Sequence, residues 1–109
     1  MATAYKVLGQ SNPAATTNTT LYTVPSSTSA VVSSIVICNQ TASAATYRIA
    51  VRPAGASLAA QHYVAYDVTV GASDSTALTL GITLGATDVI TVYGSTATLS
   101  FAAFGSEIA

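Results

Sequence analysis

The chain has 109 residues, half of them apolar, which is room for one domain, 1–109, with a core that needs no disulfide. Only 6% of positions are charged, against roughly 25% in an ordinary globular domain, and three cations, Lys6, Arg48 and Arg52, are too few for the basic stripe that a nucleic-acid partner requires. The single cysteine rules out an intrachain disulfide, no stretch reaches the roughly 20 apolar residues of a membrane span, and the opening Met1-Ala2-Thr3-Ala4-Tyr5-Lys6 lacks a secretory apolar core, so cytoplasmic synthesis and no membrane partner are expected.

The first candidate strand is Tyr5–Leu8, followed by the polar stretch Gln10 to Asn18. Residues 1–19 therefore read as a first strand plus a tether, or an arm that pairs with a neighbouring subunit. Thr20–Val24 follows. The segment Val31–Asn39 is apolar on both faces around Ile35-Val36-Ile37-Cys38, as expected of a strand covered on both sides. Cys38 within it reads as a small buried hydrophobe.

Tyr47, Ile49 and Val51 alternate with Thr46, Arg48, Ala50 and Arg52, the period of a half-buried strand with both arginines on one face, roughly 13 Å apart. Those arginines read as solvated or paired with Asp67 or Asp88; the functional alternative is a grip on the carboxylates of a partner subunit or on an acidic glycan. Ala54–Gln61 is the one place for a short helix, weakened by Gly55. In Tyr63–Val70, Tyr66 with Val64 and Val68 is expected to face the core while Tyr63 covers the rim. The alternative is an aromatic edge for an interface or a sugar.

Leu78, Leu80, Ile82 and Leu84 alternate with Thr79, Gly81 and Thr83 in the same half-buried pattern. Asp88–Tyr93 and Thr98–Phe104 complete the set. Pro- and Gly-containing turn signals separate these segments. About eight short strands at regular spacing predict an all-β fold, a single antiparallel β-sandwich that is jelly-roll-like.

Catalytic chemistry finds little material. One histidine, His62, one cysteine and the carboxylates Asp67, Asp74, Asp88 and Glu107 are the whole inventory. Zinc needs three or four nitrogen or sulfur ligands, and Cys38 in an apolar run is a poor thiolate. No enzyme, metal or cofactor is expected. Two sequons, at Asn18 and Asn39, read as chance in a Thr-rich chain. A charge-poor surface repels its neighbours weakly, which favours self-association.

Several strings carry a resemblance: Thr20-Leu21-Tyr22-Thr23-Val24-Pro25, Ser34 to Asn39, Tyr47 to Pro53, His62 to Asp67 and Phe101 to Ile108. Over Tyr5 to Ile108 the chain resembles small β-sandwich structural modules of tailed bacteriophages, of the cyanophage and aquatic-phage type. The resemblance implies a non-enzymatic virion protein, a homo-oligomer on the tail, baseplate or neck or decorating the capsid, with other virion proteins as partners. The alternative is a host-glycan-recognition module of a phage fibre. Candidate interface residues are Tyr5, Val7, Arg48, Arg52 and Tyr63.

Overall fold

A computed structural model describes residues 3–109. Eight strands form: β1 (Thr3–Ser11), β2 (Thr19–Thr23), β3 (Ser29–Asn39), β4 (Ala45–Arg52), β5 (Tyr63–Val70), β6 (Ser75–Leu84), β7 (Val89–Gly94) and β8 (Leu99–Ile108). Two four-stranded sheets result, one in the order β1-β8-β3-β6 and the other β2-β7-β4-β5, with every pairing antiparallel. This is the interleaved order of a jelly-roll sandwich, in which consecutive strands alternate between layers except for the paired β4 and β5. We call the layers sheet A (with β1) and sheet B (with β2).

Alternation explains the core. Ala30, Val32, Ile35 and Ile37 of β3 and Phe101 and Ala103 of β8 turn inward from sheet A; Tyr47 and Ile49 of β4 and Ile90 and Val92 of β7 meet them from sheet B. The Tyr47 and Phe101 rings join the layers edge to face, centroids 6.3 Å apart, a geometry that aromatic pairs prefer.

The strand boundaries follow the alternation, and three expectations about faces need correction. β3 is buried on its inner face only; Val31, Val36 and Cys38 on the other side are half-buried, with no second layer over them. In β5, Val64, Tyr66 and Val68 are not core residues but are 52%, 56% and 39% exposed. The period breaks there because two residues, Tyr66 and Asp67, stand opposite the single Arg48, between the pairs Tyr47↔Val68 and Ile49↔Ala65. Asp67 adopts φ +52° at this bulge. In β6, Leu80 is 44% exposed, since Leu80 and Gly81 together face the one position between Val32 and Ser34. The region 54–61 holds no α-helix, only parts of two three-residue 3-10 segments, at Pro53–Gly55 and Ala60–His62.

The same device recurs at each sheet margin. β1 and β6 edge sheet A, and β2 and β5 edge sheet B. Each carries an extra residue relative to its inner partner: Leu8 in β1, Leu21 in β2, and the two bulges just described. Bulges bend and twist an edge and interrupt its row of free backbone groups, which blunts edge-to-edge pairing without charged guards.

β1 pairs with β8 of its own chain from Thr3↔Ile108 to Ser11↔Phe101. The connection after it is pinned as well. Asn12 Nδ2 donates to the carbonyls of Ala97 and Leu99, at 3.0 and 2.7 Å, and the Thr16 amide donates to the Gly94 carbonyl at 2.8 Å. Pro13 between them is buried.

Candidate functional site

Each of the seven charged side chains, three basic and four acidic, is engaged by its own chain. Lys6 Nζ lies 2.8 Å from Glu107 Oε1. Arg48 donates from Nε to Asp67 Oδ1 at 2.7 Å and from an Nη to Oδ2 at 3.3 Å. Arg52 donates to Thr91 Oγ1 at 3.0 Å and to the Ala56 carbonyl at 3.1 Å. Asp74 accepts the Ser75 amide, and Asp88 accepts the amides of Ala54 and Gly85. The carboxylates of Asp74 and Asp88 thus act as turn fasteners, the common use of Asp at such places.

Arg48 has the most developed surroundings. Its guanidinium carbon sits 4.2 Å from the Tyr66 ring centroid and 4.3 Å from that of Tyr93. The register explains this: Tyr93 of β7 pairs with Arg48 on one side, and the β5 bulge delivers both Tyr66 and Asp67 on the other. The hydrogen bond that Arg48 donates to Asp67, opposed by partial burial, raises the guanidinium pKa still further, so Arg48 is a permanent cation held in place. Arg52 is tied to the 53–62 connection instead, and neither arginine meets Asp88.

Beside this stack, Leu58, Ala59, Ala60, Tyr63 and Tyr66 line a concavity of about 460 Å³. Tyr63 and Tyr66 meet edge to face with centroids 4.9 Å apart. His62 Nδ1 accepts the Ala59 amide at 3.0 Å and so shapes the turn that forms one wall. The loops 54–61 and 71–75 flank β5, the first preceding it and the second following it. They stand at opposite ends of that strand, so only the first belongs to this concavity.

The other face is of a different kind. Outward positions of sheet A include Tyr5 and Val7 of β1, Val31 and Val36 of β3, and Ala102 and Phe104 of β8, and none of its outward positions is charged. Tyr5 is 85% and Val7 49% exposed. A shallow groove of about 370 Å³ runs between Tyr5, Val31 and Phe104, with Lys6 and Ser33 also at its wall. Cys38 lies at one end of this face, half-buried, and His62 lies in a turn that packs on β4 of the other sheet. Lys6, one register position from Tyr5, turns toward the interlayer space, where Glu107 receives both it and the Tyr22 hydroxyl at 2.5 Å.

The expected interface residues therefore separate: Tyr5 and Val7 stand on the outer face of sheet A, and Arg48, Arg52 and Tyr63 on that of sheet B. Sequence patterning missed Tyr93 as a partner of Arg48, and also Phe104. Alternation from Phe101 and Ala103 puts Phe104 outward. Among the described residues no group of three or more His, Cys, Asp or Glu converges on a metal-sized space, and no helix is long and apolar enough to cross a membrane.

No family model matches the chain, and comparisons with curated proteins and with solved structures return no match either.

Proposed function

We propose that this chain is a non-enzymatic structural subunit of a phage virion, assembled as a homo-oligomer with other virion proteins on the tail, baseplate or neck or over the capsid. The observation that carries the reading is the division of its surface. All seven charges are spent on intramolecular contacts, and one whole sheet face carries none. Such a face is costly for a freely diffusing protein and useful for one that packs against neighbours. The jelly-roll order agrees with this reading at the level of fold analogy, since that architecture serves many capsid and lectin domains. It also agrees with the resemblance to phage modules over Tyr5 to Ile108.

The test is immunogold microscopy and mass spectrometry of purified particles from a host that carries the gene. Label at the tail end, neck or head supports the reading and locates the subunit. Absence from both the images and the spectra overturns it.

The concavity at Tyr63 and Tyr66 favours a second reading, recognition of a host glycan. A pyranose presents an apolar face that stacks on tyrosine rings, and two rings here flank an apolar floor. A glycan array with the wild type and Tyr66→Ala decides this. Binding lost in the variant favours the second reading, and an empty array removes it.

A further inference from the structure

We infer that two copies of this chain stack through the outer faces of their A sheets, and that the assembly does not grow by pairing of strand edges. The inference rests on the assembly reading above and names the surface it uses.

The first ground is β3. Its sequence sets Val31, Val36 and Cys38 on the outer side against Val32, Ile35 and Ile37 on the inner, apolar on both faces at either end of the Ser33-Ser34 step, as in a strand covered on both sides. Within one chain only the inner side is covered. Its flanking strand β8 repeats the pattern, with Ala102 and Phe104 outward against buried Phe101 and Ala103. The two central strands of the sheet are therefore patterned for a layer that the single chain does not supply.

The second ground is electrostatic. A second copy presents the same face with no charged outward position, and the one ion at the groove, Lys6, is already paired with Glu107, so stacking buries no unpaired charge, whereas a charged partner would find no complement there. Tyr5, at 85% exposure, gives each copy a large ring to seat in the partner's groove between Tyr5, Val31 and Phe104. Tyrosine is among the residues that dominate such contacts.

The third ground is size. Four strands at about 4.8 Å spacing and about nine residues at about 3.4 Å rise give a face of roughly 600 Å². Two such faces together hide roughly 1,200 Å², the lower bound of a stable, specific interface. Packing at about 10 Å, with strand directions within about 30°, is the ordinary geometry for two twisted sheets. The arrangement is isologous and closes as a two-fold dimer.

The bulges exclude the competing route. Every edge strand, β1, β2, β5 and β6, carries its extra residue on the margin itself. A neighbouring strand would meet a bent and interrupted row of donors and acceptors.

Cys38 offers a native probe, since it is the only thiol and lies on the proposed interface. The experiment measures the alkylation rate of Cys38 and the light-scattering mass over a dilution series. Val36→Lys and Tyr5→Glu perturb the face, and Val64→Lys perturbs the β5 edge. The expected result is a dimer whose Cys38 is protected at high concentration. Each face variant weakens it roughly tenfold or more, while Val64→Lys leaves it intact. Circular dichroism checks that the variants fold, and the labelling of the unmodified chain needs no substitution at all.

A self-associating protein whose Cys38 stays reactive, and whose association is broken by Val64→Lys, overturns the stacking inference and leaves the assembly reading in place. So does a monomer whose Cys38 is protected only in purified particles, which assigns the face to a different virion protein. A monomer that is also missing from particles overturns both.

Discussion

The Tyr22 hydroxyl donates to Glu107 Oε2 at 2.5 Å and thereby ties β2 of sheet B to β8 of sheet A at the margin where Lys6 also reaches Glu107. The contact has opposite effects on its two members. The hydrogen bonds from Lys6 and then Tyr22 hold the Glu107 carboxyl below its ordinary range. Burial first, and the Glu107 hydrogen bond second, push the Tyr22 phenol above its own.

Stability should therefore fall at both ends of the pH scale. The Glu107 contribution is complete above the unfolded value of about 4.3 and is lost as pH drops through the lower folded value. The Tyr22 contribution is complete below about 10 and is lost as pH rises through the higher folded value. Tyr22→Phe should reduce the alkaline loss, leaving the part that buried Tyr47 contributes, weaken the acid one, and cost about 1–3 kcal/mol near neutrality, the worth of a hydrogen bond to a charged group. Glu107→Gln should flatten the acid limb and spare most of the alkaline one. Urea melts between pH 3 and pH 11 read all of this, and an unchanged alkaline limb in Tyr22→Phe would contradict it.

Gly105 is the position in sheet A least tolerant of a side chain. A Cβ there would run into the Val31 carbonyl oxygen and backbone, where β8 passes β3 beside the irregularity at Ser33. Ser33 Oγ donates to the Phe104 carbonyl at 3.1 Å at the same step. Backbone cannot yield as a flexible side chain can, so Gly105→Ala should cost at least about 3 kcal/mol, the upper range for overpacking. Gly81→Ala is the control: φ is +61° but the space beside it is open, so only the left-handed penalty of about 1–2 kcal/mol applies. Equal melting temperatures for the two variants would refute the argument.

Much of this fold was legible in the chain because a period of two survives wherever a strand is regular. Tyr47–Arg52 needed only alternation to place its inner residues, whereas Val31–Asn39 read as covered on both sides, and the extra residue at Ser33 moves its inner set from Val32 to Ile35 and Ile37. The pattern misled at Val64, Tyr66, Val68 and Leu80, where an added residue shifts the phase, and a bulge leaves no mark in hydrophobic periodicity. Asp67 and Gly81, both at positive φ, are residue types that tolerate that backbone, a clue visible only after the fact. The Tyr93–Arg48–Tyr66 stack was hidden for a different reason: it depends on which strands are neighbours, and strand order is set by long-range packing. The uncharged outer face of sheet A was in plain view as a low charge count, but its confinement to one sheet required the topology.

Asn39 fastens one end of the sandwich. It is 2% exposed, and its Nδ2 donates to the carbonyls of Ser43, Val70 and Gly71 at 2.8, 3.3 and 3.1 Å. Its Oδ1 accepts the Thr41 amide at 3.2 Å and the Thr98 hydroxyl at 3.4 Å. One side chain thus joins the loops after β3, β5 and β7. Asn39→Ala should cost about 2–3 kcal/mol, because several polar groups lose their partner at once. Asn39→Asp should be worse at pH 7, where a carboxylate would face three carbonyl oxygens, and should recover partly at pH 4. Thermal melts at the two pH values check the order. The same burial keeps the Asn39-Gln40-Thr41 sequon from serving as a glycan acceptor in the folded chain.

Asp67 combines two demands, a left-handed backbone at the β5 bulge and a charge for Arg48. Substitutions separate them. Asparagine tolerates positive φ nearly as well as aspartate does but cannot form the ion pair, so Asp67→Asn should lower the melting temperature slightly. Alanine tolerates neither condition, and Asp67→Ala should lie below Asp67→Asn by on the order of 1 kcal/mol of backbone strain. Salt distinguishes the two contributions. The Asp67 side chain is 47% exposed, so its attraction to Arg48 is screened at high ionic strength. In 1 M NaCl, where the screening length is about 3 Å, the gap between wild type and Asp67→Asn should narrow. The gap between Asp67→Asn and Asp67→Ala should persist, because backbone strain does not respond to salt. If both gaps close together, the bulge is not strained and the cost at this position is wholly electrostatic.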